Sequence, residues 1–113
     1  MSNEKIEQLL VEFRDAGDNY STAKAHLVYV EDFKKSKIAI LMKEAQRLGI
    51  QTASGQEREA YAHKDYLELL DAIKSATETE SKLKFLLRRI EMEIEVWRTT
   101  QANERMERRA YGG

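Results

Sequence analysis

The chain has 113 residues, 42% of them apolar and 35% charged, with a net charge of −1, no proline and no cysteine. That is one domain's worth of helix-rich chain with a narrow core rather than a disordered tail. It excludes a disulfide framework and a thiolate zinc site, offers no run of the roughly 18 apolar residues that a transmembrane helix needs, and leaves any contact with nucleic acid to local basic patches.

The N-terminal Met-Ser-Asn-Glu-Lys has no apolar segment of signal-peptide type, so the expected location is the cytoplasm of the cell that makes or hosts the protein. Residues 1–18 are predicted to form a short N-terminal helix and turn. Ile6, Leu9, Leu10 and Phe13 share one helical face, and Asn3 or Ser2 can cap it. Gly17-Asp18-Asn19 is expected to end it, because Gly and Asn tolerate the left-handed conformation. A middle helix is predicted over residues 19–49. Tyr20, Ala23, Leu27 and Val30 form one stripe, and Ile38, Leu41, Ala45 and Leu48 form another that is out of heptad register with the first. Phe33, Ile40 and Met42 add apolar surface outside both, which predicts contact with more than one neighbour.

Residues 50–55 read as the loop. Ser54-Gly55-Gln56-Glu57 matches a capping box, with Ser54 as N-cap, and opens a long final helix over 56–109 ahead of a flexible tail at 110–113. Ala62, Tyr66, Leu69, Ile73, Ala76, Glu80, Leu83, Leu87, Ile90, Ile94, Trp97 and Gln101 follow one another at 4-3 spacing. A seam held that long predicts one continuous helix in coiled-coil-like packing. The predicted fold is all-α: an elongated antiparallel helical hairpin with one long C-terminal helix, plus the short N-terminal helix.

On these boundaries the middle helix, at ~45 Å, covers only about half of a final helix ~80 Å long. Leu83, Leu87, Ile90, Ile94 and Trp97 are then left to a subunit interface, and a homo-oligomer is expected. The alternative is a three-helix bundle bent at Thr77 to Thr79 that buries the stripe internally.

No catalytic constellation is found: there is no phosphate loop, no nucleophile elbow and no HExxH. An enzyme, a metal and a cofactor are therefore not expected. His26 and His63 could reach a metal only if paired across the hairpin with Asp65 or Asp32, and the simpler reading makes both ordinary surface residues. Glu91, Glu93 and Glu95 alternate, so a helix spreads them around its axis. Trp97 lies on the apolar seam, which favours core or interface over a stacking platform.

Charge is more informative. Residues 1–18 sum to −3 and residues 57–80 to −4. Lys82, Lys84, Arg88 and Arg89 stand together with no acid among them. Lys34, Lys35 and Lys37 enrich the middle helix. One reading makes these solubilising charges and interhelical salt bridges, and alternating blocks can pair antiparallel. The other makes them a stripe that holds a nucleic-acid backbone, most readily a single strand.

The segments Tyr61-Ala62-His63-Lys64-Asp65-Tyr66-Leu67, Ile94-Glu95-Val96-Trp97-Arg98 and Ala102-Asn103-Glu104-Arg105 resemble small all-helical phage and prophage proteins associated with replication and recombination genes. The layout is loosely similar to the recombination mediator of T-even phages. That resemblance implies a non-enzymatic oligomer that binds single-stranded DNA or a recombination protein and helps load a recombinase. It carries no residue-by-residue assignment. Two other classes fit the same features: a phage anti-defence protein that occludes a host-defence protein or sequesters a nucleotide signal, and a structural coiled-coil adaptor.

Overall fold

The structure is a computed structural model that describes residues 3–112. It is all-α, with three helices: α1 (Asn3–Arg47), α2 (Ala53–Ala62) and α3 (Lys64–Tyr111). The chain divides into two compact units. Unit 1 joins the described residues up to Ser21 with those from Ser81 onward, and unit 2 is Thr22–Glu80. α1 runs from unit 1 into unit 2 and α3 returns, so the two long helices are antiparallel, as in a helical hairpin with coiled-coil-like seams.

The first correction concerns Gly17. The predicted short helix and middle helix are one helix of 45 residues. Gly17 keeps negative φ, and among the described residues the only positive-φ glycine is Gly49. The apolar ladder Ile6, Leu9, Ala16, Tyr20, Ala23, Leu27 and Val30 crosses the Gly-Asp-Asn stretch without a change of phase, and each of these residues is buried or half-buried. Packing along that ladder outweighs the roughly 1 kcal/mol helix penalty of a single glycine. Ser21 Oγ also donates to the Gly17 carbonyl at 3.0 Å. Ser2, the other proposed cap, lies outside the described residues.

α1 ends in a Schellman motif. Ile50 N–H donates to the Ala45 carbonyl at 3.0 Å and Gly49 N–H to that of Gln46 at 3.1 Å. The φ of 109° at Gly49 closes the motif in a conformation that a side chain resists.

The second correction concerns the cap that follows. Thr52, not Ser54, is the N-cap: its side chain accepts the Gly55 N–H at 3.1 Å, and Ser54 lies inside α2. Gly55 suits this site because an added Cβ would stand 2.7 Å from Thr52 Oγ1 and 2.9 Å from Ile50 Cγ2. Gln56 then ties the loop down by donating through Nε2 to the Ile50 carbonyl at 2.9 Å.

The third correction divides the predicted final helix at His63, whose ψ of 139° is extended. His63 Nδ1 accepts the Asp65 N–H at 3.0 Å, which caps α3 with an imidazole. Tyr61 and Tyr66 meet edge to face across this break, with ring centroids 5.3 Å apart. The seam predicts Ala62 inside, but Ala60 is the fully buried residue and Ala62 is exposed. α3 is not interrupted at Thr77 to Thr79. Both hydroxyls donate to carbonyls one turn back, Thr77 to Ile73 at 2.8 Å and Thr79 to Ser75 at 3.1 Å, within an unbroken helix.

From Tyr66 to Gln101 every seam position is buried or half-buried. In unit 1 the core is Ile6, Leu9, Ala16 and Ile90, with Leu86, Leu87, Ile94 and Trp97 packed against it. In unit 2 the buried residues are Val30, Leu41, Ala45, Ala60 and Ala76.

Candidate nucleic-acid interface

Lys82, Lys84, Arg88 and Arg89 sit on the unit 1 portion of α3, and all four are exposed. The helical period puts Lys84 and Arg88 in one row and Lys82 and Arg89 in another, with Phe85 between the rows. From Ser81 to Ile90 the helix carries no acid. Lys84 and Arg88 make no ion pair among the described residues, whereas Arg89 contacts Glu93 at 2.8 Å. Such an exposed pair contributes little and yields readily to a stronger anion.

Lys34, Lys35 and Lys37 belong to unit 2. Lys34 and Lys35 are exposed, while Lys37 is half-buried seven residues beyond the buried Val30, with its stem along the α1 seam. The two basic groups therefore belong to different units.

The five residues expected at a subunit interface require a further correction. Ile90 is only 1% exposed within the single chain, Leu87, Ile94 and Trp97 pack against the same core, and Leu83 is half-buried. The expectation rested on a middle helix too short to cover the final one. With 45 residues in α1 against 48 in α3, the shortfall disappears, and Ile6, Leu9 and Ala16 of α1 share a core with Leu87, Ile90, Ile94 and Trp97. Trp97 Nε1 is buried without a hydrogen-bond partner among the described residues.

His26 is exposed, and His63 spends Nδ1 on the α3 cap. Among the described residues no group of three or more His, Asp or Glu side chains converges to hold a metal ion. No helix there is long and apolar enough to cross a membrane.

Sequence reasoning missed the outer face of α3. Phe85, Met92 and Val96 are 77%, 61% and 60% exposed and line an open groove with Arg88, Arg89 and Glu93. The signal was present as an apolar spacing of seven and then four, half a turn out of phase with the stronger seam that hid it. Comparison with protein-family models, curated proteins and solved structures finds no match to this chain.

Proposed function

We propose that the protein is a non-enzymatic, phage-type accessory of DNA replication or recombination that grips single-stranded nucleic acid through Lys82, Lys84, Arg88 and Arg89. The observation that carries this reading is the acid-free, exposed stretch of α3 in which Lys84 and Arg88 make no ion pair among the described residues. A flexible backbone running along the helix can meet both rows of cations, and each neutralised phosphate releases counterions. One chain offers only a few such contacts, so useful affinity requires several copies on one strand. Lys34, Lys35 and Lys37 offer a second, separate contact in unit 2. The sequence resemblance to phage recombination proteins supports the same direction.

The test is fluorescence anisotropy with single- and double-stranded oligonucleotides at two salt concentrations. Lys82→Ala, Lys84→Ala and Arg89→Ala together, sparing Arg88, should weaken single-strand binding about tenfold and flatten the logarithmic salt slope by up to about 2, given ~0.7 per phosphate contact. Helicity should not change, because all three side chains are exposed. If the unmodified protein fails to bind any oligonucleotide at about 50 mM salt, the reading fails.

A further inference from the structure

In unit 1, α3 is amphipathic twice. Its seam packs on α1, and the side half a turn away carries Phe85, Met92 and Val96. Contiguous apolar surface of this kind, ringed by charge, marks an interaction site. Nothing among the described residues covers it.

The flanking charges identify what does. Along this face the sign changes: Arg88 and Arg89 lie toward the N-terminal end, and Glu91, Glu93 and Glu95 lie toward the C-terminal end. Arg88 and Glu95 are seven residues apart on one flank of the stripe, and Arg89 and Glu93 occupy the other. A surface positive at one end and negative at the other matches itself in one orientation only. Two such helices laid parallel bring opposite flanks together and set Arg88 beside Arg89 of the partner subunit and Glu95 beside Glu93 of the partner subunit, like charge against like. Laid antiparallel, they set every cation beside an anion. A phosphate backbone does not fit the whole stripe, because Glu91 and Glu95 repel it from the Met92–Val96 half.

We infer that a second copy of this chain docks on this face, antiparallel, about a two-fold axis passing close to Met92. Met92 of the two copies packs together at the centre, and Val96 of each lies beside Phe85 of the partner subunit. Arg88 meets Glu95 of the partner subunit, and the contact occurs twice by symmetry, as an isologous interface requires. Within one chain Glu95 accepts from Arg98 at 2.9 Å and Arg89 donates to Glu93 at 2.8 Å. Both are exposed pairs that exchange partners at little cost. The arrangement leaves Lys84 of each copy at the rim, with the two about 20 Å apart along the paired helices. It goes beyond the proposed nucleic-acid contact and does not depend on it; in the dimer Arg88 is held by the partner, and Lys82 and Lys84 stay exposed for a strand.

Sedimentation equilibrium of the full chain, without nucleic acid, tests the inference. The unmodified 13.1 kDa chain should sediment as at least two copies at about 50 µM. Arg88→Glu and Glu95→Arg should each weaken association about tenfold or more, with helicity unchanged. Mixed in equal amounts, the two variants should associate within about threefold of the unmodified protein, because only the antiparallel mixed dimer pairs opposite charges at both contacts. A monomer at that concentration overturns the inference. So does a mixture that remains as dissociated as its components, or an assembly indifferent to both substitutions.

Discussion

The two units use the same pair of helices with opposite electrical signs. In unit 1 the α1 portion is acidic, through Glu4, Glu7, Glu12, Asp15 and Asp18, and faces the α3 portion that holds the basic block. In unit 2 the α1 portion holds Lys34, Lys35, Lys37, Lys43 and Arg47, and the α2–α3 portion is acidic. Two helices patterned in this way attract one another in one direction and one register. A seam of Leu, Ile and Ala alone tolerates slippage by a heptad, and the charge inversion penalises it. The units also bury different kinds of side chain. Unit 1 has two long helices and closes on large residues, with Leu9 and Ile90 each 1% exposed. Unit 2 adds α2, and three of its five buried residues are alanines, which permit close approach between helix backbones.

That contrast is broken most severely at Ile90. Ile90→Ala removes a nearly inaccessible side chain from a core only two helices thick, which limits collapse around the cavity. It should cost about 2–5 kcal/mol in urea denaturation. Hydrogen exchange should report the loss first in residues 81–112 and in α1 up to Ser21, with α2 still protected.

Unit 2 should fail by the opposite change. Ala60 is 0% exposed, so Ala60→Leu has no void to fill. Overpacking of this kind costs about 1–3 kcal/mol. Its signature is early exchange of α2 amides while those around Ile90 stay protected. If Ala60→Leu proves neutral, the alanine contacts of unit 2 are not close-packed and the contrast between the units weakens.

The all-α fold and the α3 seam were legible because a 4-3 spacing sustained from Tyr66 to Gln101 has one structural solution. The ends of the helices were not. Thr52 and Ser54 are both good caps by residue type, and the choice between them rests on the Schellman closure at Gly49 and the crowding of Gly55 against Ile50. The break at His63 carries no glycine or proline, and the imidazole that caps α3 is an unusual acceptor for that role. The basic block was visible as composition. The stripe of Phe85, Met92 and Val96 beside it was not, because a weak second periodicity is hard to see under a strong first one. The largest error began at Gly17. Reading it as a stop shortened α1, and the apparent shortage of covering helix then turned a buried seam into an oligomer interface.

Gly17 supplies the smallest effect and the most direct test of that error. The residue sits inside α1 with helical neighbours on both sides and keeps negative φ. An added Cβ would meet nothing within 4 Å. Alanine therefore adds no clash, lowers the conformational entropy of the unfolded chain and restores helix propensity. Gly17→Ala should stabilise the protein by about 0.5–1 kcal/mol, read as a higher urea midpoint at unchanged m-value. If residues 17–19 instead formed a turn requiring left-handed backbone, the same substitution would destabilise, because alanine resists that conformation. The sign of this one change thus decides whether α1 is continuous. On that continuity rests the conclusion that Leu83, Leu87, Ile90, Ile94 and Trp97 are covered within the chain, which leaves the outer face of α3 for a second copy.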